Sequence, residues 1–165
     1  MPSFQQRKAV GDAHEQRIAE ELTACGWVVN PWGQGVLTHP VQAALRGTGS
    51  SLRWTPDLLA AKDGRVAMID CKSSMTSRTT RRHAIESAAV RAHLQLVAWT
   101  VLPLYYVFDS LDVLTPFDAL VAGQNGPHSI AGSGAPYLFV PTTHCRSFGS
   151  TFGSRRQPPV ASDAA

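Results

Sequence analysis

The stretch Thr55-Pro56-Asp57-Leu58-Leu59-Ala60-Ala61-Lys62-Asp63-Gly64-Arg65-Val66-Ala67-Met68-Ile69-Asp70-Cys71-Lys72 decides the fold of this 165-residue chain. An Asp-Gly pair between two apolar runs is a strong local signal for a hairpin turn, because the turn needs residues that tolerate positive φ. Asp63-Gly64 therefore joins two antiparallel strands, with Asp57 and Asp70 toward the open end of the pair. Val66, Ala67, Met68 and Ile69 are apolar at every position, the pattern of a strand buried on both faces in the centre of a sheet. Asp70 and Lys72 are two apart, so strand alternation sends both side chains to one face and Cys71 to the other. A buried carboxylate or ammonium costs several kcal/mol unless it is paired or bound to metal. Taken alone, Asp70-Cys71-Lys72 reads as a buried ion pair, with Asp57 an ordinary residue after proline.

A third carboxylate upstream favours a site. In Gly11-Asp12-Ala13-His14-Glu15-Gln16-Arg17-Ile18-Ala19-Glu20-Glu21-Leu22 the apolar positions recur at helical spacing, Gly26 is a natural stop, and Trp27-Val28-Val29 reads as the next strand. Gly11, Glu15, Ile18, Ala19 and Leu22 share one face of that helix, so Glu15 points inward while Glu20 and Glu21 point away. His14 falls off this face and is expected at the surface.

In this order, the residues resemble the PD-(D/E)XK nuclease superfamily: Glu15 on the first helix, Pro56-Asp57 as the PD element, Asp70-Cys71-Lys72 as the (D/E)-x-K element. The resemblance covers residues 7–109 and implies an α/β fold with a restriction-endonuclease-like αβββαβ core, a mixed central sheet flanked by helices. A helix expected from Arg81 to Thr100 carries Gln95, similar to the glutamine-bearing helix that many members place against the site. Arg7-Lys8 ahead of Gly11 and Glu15 resembles the start of archaeal-type Holliday-junction resolvases, although Asp70 stands where those usually have glutamate.

The resemblance implies a Mg²⁺-dependent endodeoxyribonuclease with Glu15, Asp57, Asp70 and Lys72 catalytic, Asp57, Asp70 and Glu15 holding the metal, and Mn²⁺ as a substitute ion. The chemistry suits these residue types. A divalent cation lowers the pKa of a bound water and stabilises charge on phosphate oxygens, and Mg²⁺ takes hard oxygen ligands, typically one or two protein carboxylates. Lys72 would orient the attacking water or contact the scissile phosphate as a point charge. Three readings stay open: a Holliday-junction or branched-DNA resolvase, a repair or restriction-type nuclease without junction specificity, and a non-catalytic DNA-binding protein on the same scaffold. DNA is the implied partner, with a homodimer as one arrangement open to the chain.

From Lys72 to His83 there are four cations, Lys72, Arg78, Arg81 and Arg82, and no acid. Serines and threonines interleave them. That is the composition of a polar loop leaving the site and contacting phosphates by charge and hydroxyl hydrogen bonds. The expected DNA-binding set is Arg7, Lys8, Ser73, Ser74, Arg78, Arg81, Arg82 and Gln95. The six histidines show no H-x-H or H-E-x-x-H spacing, so most are expected at the surface or in loops. Cys25, Cys71 and Cys145 lack any C-x-x-C spacing and read as reduced thiols rather than zinc-ribbon ligands.

With 44% hydrophobic residues the chain can form one domain with a respectable core. The polar segment Met1–Asp12 predicts no signal peptide, and the apolar run Leu94–Phe108, broken by Gln95 and Pro103, is too short to span a bilayer. The expectation is a soluble cytoplasmic protein without membrane contact. Pro31–Arg53 reads as an insertion with a short helix opened by Pro40 and closed by Gly47. Asp112–Ala122 reads as another short helix, Gln124–Ala135 as a loop and Tyr137–Val140 as a last strand. From Arg146 onward Ser, Gly, Pro and Arg dominate, which predicts a nuclease-like domain over 1–145 and a flexible tail over 146–165.

Overall fold

The computed structural model describes residues 4–126 and 136–155, with side chains from Val10 onward. Strands β2 (Leu58–Lys62) and β3 (Arg65–Lys72) form the expected hairpin, paired from Leu58↔Ile69 to Lys62↔Arg65. Asp63 at φ 51° and Gly64 at φ 74° make its two-residue turn. β3 is flanked by β2 on one side and, in parallel, by β6 (Leu104–Phe108) on the other. With β1 (Val28–Pro31), β7 (Asp112–Leu114) and β10 (Arg146–Ser147) they form a six-stranded sheet in the order β1-β2-β3-β6-β7-β10, mixed because only the β3–β6 pair is parallel.

Alternation along β3 divides the core. Ala67 and Ile69 join Ile18 and Leu22 of α1 (Phe4–Ala24) on one face, while Met68 joins Val90 of α3 (Ser87–Thr100), Tyr106 and Phe108 on the other. Burial on both faces begins at Ala67; Val66, beside the turn, is exposed. The buried stripe of α1 is His14, Ile18 and Leu22 at i, i+4, i+8, so His14 is a core residue and not a surface one. Its Nε2 donates to Val107 O at 3.2 Å.

The segment expected as helix from Arg81 starts instead as strand β5 (Arg82–Glu86), and the helix begins at Ser87. His83, Ala84 and Ile85 are buried in succession, which a strand between two neighbours achieves and a surface helix does not. β5 pairs β4 (Thr76–Ser77) and β9 (Tyr137–Pro141), so the cationic segment after Lys72 is a hairpin rather than a loop. A second sheet results, ordered β4-β5-β9-β8, with β8 at Gln124–Asn125. Asp112–Ala122 divides into β7 and α4 (Pro116–Ala122), whose start is fixed by a capping box between Thr115 and Asp118. The insertion holds α2 (His39–Arg46), with Pro40 in its first turn and Gly47 at its C-cap, as the sequence predicts.

The tail expected from Arg146 is corrected as far as Arg155. β10 pairs β7, and α5 (Phe148–Phe152) buries Phe148 and Phe152 against Trp27 and Tyr105. Trp27 Nε1 donates to Phe152 O at 2.8 Å, and Arg155 pairs with Glu21 at 2.5 Å. Two aromatics four residues apart anchor a segment whose composition is otherwise that of a linker. Residues 156–165 lie outside the described residues, as do 127–135 of the expected loop. Phe152→Ala is expected to cost about 3–5 kcal/mol in urea unfolding; a change under about 1 kcal/mol, typical of a surface substitution, would restore the tail reading. No helix among the described residues is long and apolar enough to cross a membrane.

Candidate active site

One step beyond Leu58↔Ile69 the hairpin register brings Asp57 opposite Asp70. Asp57 leaves the ladder there, and its Oδ2 accepts the Cys71 N–H at 2.7 Å, replacing a backbone partner for β3. Its own carbonyl accepts the Trp32 N–H at 2.7 Å. Gly33 follows at φ 34°, and a Cβ there would sit 2.6 Å from Pro56 O and 3.0 Å from Asp57 Cα. A glycine is therefore required for the 32–34 backbone to press on the Pro56-Asp57 element.

Asp70 and Lys72 share one face of β3, as alternation demands. Lys72 Nζ lies 2.5 Å from Asp70 Oδ2 and 5.6 Å from the centre of the Tyr106 ring. Asp70 is 6% exposed, and its buried Oδ2 has the Lys72 ammonium as its partner. Burial would push the Lys72 ammonium down, but Asp70, Asp57 and Glu86 together hold it above its ordinary value. Beneath the pair runs a buried chain: His93 Nδ1 meets Tyr106 Oη at 2.9 Å and His93 Nε2 meets Trp54 O at 2.5 Å. A carbonyl only accepts, so Nε2 carries the proton; burial keeps His93 neutral, and Nδ1 then accepts from the Tyr106 hydroxyl. His93 thus tethers the residues just before Pro56-Asp57 to α3.

Glu15 is half-buried on α1 and lines a groove with Asp12, Gln16, Val36 and Leu58. Its charge reaches the same cluster. Burial first, then the Asp70 and Glu15 carboxylates, push Asp57 well above the usual carboxylate range, against the opposing pull of Lys72 and the Cys71 N–H. The same burial and acids push the Cys71 thiol up, so it stays protonated. A raised carboxyl contributes stability that is full below its unfolded value of 3.8 and lost as pH rises through its folded value. Asn keeps the acceptor oxygen for Cys71 N–H and removes the charge. Asp57→Asn in EDTA is thus expected to melt higher than wild type at neutral pH, the gap closing toward about pH 4. Identical pH profiles in thermal melts would contradict this placement.

The remaining expected residues are dispersed. Gln95 is exposed and lines an aromatic cavity of about 310 Å³ with Trp32, Trp54 and Trp99, while the residue α3 turns toward the cluster is His93. Ser73 and Ser74 form a turn after β3, and Ser74 N–H donates to Asp109 Oδ2 at 2.6 Å. Arg78 and Arg81 are exposed and line a cavity with Thr76, Ser77 and Asp112; Arg82 is half-buried in β5. Arg7 and Lys8 lie on α1, their side chains outside the described set. His83 and His93 are buried, His39 and His144 exposed, and His128 lies outside the described residues.

Three carboxylates and one ammonium share the open end of the hairpin, crowded closely enough that the acids raise Asp57 beyond what its burial does. That donor set fits a hard divalent cation.

No protein-family model matches the sequence, and no curated protein does. Among solved structures the chain is similar to Hjc, a Holliday junction resolvase of Archaeoglobus fulgidus, with a TM-score of 0.57 at 10% identity over 89% of this chain and 98% of that one. It is also similar to D212, a nuclease from a fusselovirus, with a TM-score of 0.51 at 11% identity over 92% of each chain. At such identities the likeness is one of backbone, and it agrees with the mixed sheet and its flanking helices: the chain shares the fold of these two nucleases.

Proposed function

We propose that this chain is a divalent-cation-dependent endonuclease that hydrolyses phosphodiester bonds in DNA. The observation that carries the reading is the convergence of Asp57, Asp70, Glu15 and Lys72 at the open end of the β2–β3 hairpin, where burial, Asp70 and Glu15 raise Asp57 and Lys72 lies 2.5 Å from Asp70 Oδ2. Asp57, Asp70 and Glu15 would hold Mg²⁺, with Mn²⁺ able to substitute. Such an ion, when bound, lowers the pKa of a water and stabilises charge on the phosphate. Lys72, held as an ammonium, has no lone pair and cannot serve as the base; it donates hydrogen bonds to a phosphate oxygen or to the attacking water. His93 and Gly33 are positioning residues that fix the Trp54–Asp57 segment. Arg78, Arg81 and Arg82 of the hairpin, with Ser73, Ser74, Gln95, Arg7 and Lys8, form the proposed DNA-facing set.

The test is cleavage of linear, nicked and four-way DNA in Mg²⁺, Mn²⁺ or EDTA, with the oligomeric state measured alongside by light scattering. Cutting is expected with either cation and none in EDTA. Four-way DNA belongs in the set because the archaeal neighbour is a Holliday junction resolvase. Preference for it together with a dimer would support the resolvase reading, and equal cutting of linear DNA by a monomer the restriction-type one. Undiminished cleavage in EDTA would contradict the cation dependence.

A further inference from the structure

Away from the carboxylate cluster, His83 of β5, Asp112 of β7 and Cys145 just ahead of β10 bring a nitrogen, an oxygen and a sulfur within 4.8 Å of one another. His83 is wholly buried; Asp112 and Cys145 are half-buried. The three bridge the two sheets: β5 belongs to the four-stranded one, while β7 and the β10 strand that follows Cys145 belong to the six-stranded one.

Their orientation is fixed from outside. The His83 ring stacks on Phe108 with centroids 3.7 Å apart, its Nδ1 meets Thr76 Oγ1 at 2.9 Å, and Ser110 Oγ donates to Asp112 Oδ2 at 2.7 Å. His83 Nε2 faces that same Asp112 oxygen at 3.0 Å. With a neutral ring, Nε2–H donates to the carboxylate and Nδ1 accepts from Thr76. A hydroxyl accepts as readily as it donates, so the ring can carry its proton on Nδ1 and present the Nε2 lone pair instead. An imidazole held through its other nitrogen is the usual condition of a metal-bound histidine.

We infer that His83, Asp112 and Cys145 form a zinc site, separate from the proposed Mg²⁺ cluster. Imidazole and thiolate select zinc over the hard cations, which prefer oxygen alone. Zn–N and Zn–O bonds of about 2.0–2.1 Å in a tetrahedron imply an N···O edge of about 3.3 Å, close to the separation already present between Nε2 and Oδ2. One carboxylate and one thiolate together offset the dication, so the buried site carries no net charge. Three protein ligands leave one position of the tetrahedron open. Asp112 also lines the cavity of about 320 Å³ into which Thr76, Thr142, Arg78 and Arg81 project, which gives the ion a route in from solvent. The consequence is mechanical: zinc would clamp the hairpin that carries Arg78 and Arg81 to the edge of the nuclease sheet.

The experiment is metal analysis of the full chain purified without chelator, followed by Co²⁺ titration of the stripped protein in an absorption cell. One zinc per chain is expected, with a thiolate-to-cobalt charge-transfer band and strong visible bands of tetrahedral cobalt. Cys145→Ser should abolish the thiolate band and weaken zinc by more than about 10-fold, the minimum that losing even an outer partner costs. Asp112→Asn should weaken zinc comparably while keeping the band, which decides the matter should Cys145→Ser fail to fold in chelator by circular dichroism. Asp70→Asn should leave both readouts unaltered, so loss of nuclease activity and loss of zinc are separable. Absence of zinc and of any cobalt band in wild type would overturn the inference, as would a thiolate band that survives Cys145→Ser in a folded protein.

Discussion

Asp70→Asn is expected to abolish cation-dependent cleavage of DNA while leaving the chain folded. Asn has the shape of Asp but no charge, so the variant tests electrostatics rather than packing. A bound cation supplies several kcal/mol of charge stabilisation to a phosphoryl transition state, so the loss should be on the order of 10³-fold or more. The fold should survive because two effects oppose each other. Lys72 loses its nearest counter-charge, 2.5 Å away, but Asp57 loses the neighbouring carboxylate that pushes it up and can stay ionised beside the ammonium. Steady-state cleavage and a urea melt on the same preparation would check both halves. Full activity in Asp70→Asn would remove Asp70 from the site.

Lys72→Ala should cost both activity and stability. It leaves Asp70, Asp57 and Glu15 facing one another without their cation, and removing one member of a buried pair costs about 3–5 kcal/mol. The sign with pH follows from the raised Lys72 pKa. Its contribution is fully present below the unfolded value near 10.5 and is lost only as pH rises through the higher folded value, so the whole penalty appears at neutral pH. Acid should narrow the difference, because protonated carboxylates need no counter-ion. Cleavage should fall with it even when Mg²⁺ rescues the fold. A Lys72→Ala protein as stable as wild type in EDTA would contradict the buried pair.

The hairpin was legible because its signals are local. Asp63-Gly64 fixes the turn and Ala67–Ile69 can only be a central strand, so the positions of Asp57, Asp70 and Lys72 follow from register. The α1 stripe was legible only in part: Ile18 and Leu22 belong to it, but its third member is His14, which settles against the Val107 carbonyl, and Glu15 flanks it. His83-Ala84-Ile85 is a short apolar run, and periodicity over so few residues does not separate strand from helix. His93 sits on one face with Ala89 and Val90, the buried stripe of α3, yet a single histidine on such a face carries no local signal of its role. Gln95 is two residues on, 200° round the helix, and so faces solvent. Gly33 acts through a backbone contact with residues over twenty positions away, which no local pattern encodes. Phe148 and Phe152 were obscured by the Ser, Gly and Arg around them, since composition averages over the two side chains that carry the burial.

Whether Asp57, Asp70 and Glu15 together hold a divalent cation is decided by calorimetric titration of Mn²⁺ into zinc-saturated wild type, Asp57→Asn and Asp70→Asn. Mn²⁺ should bind wild type, Mg²⁺ should compete it away, and either substitution should weaken binding by at least the 10–100-fold typical of altering a metal's surroundings. Equal Mn²⁺ affinity in wild type and both variants would contradict such a site.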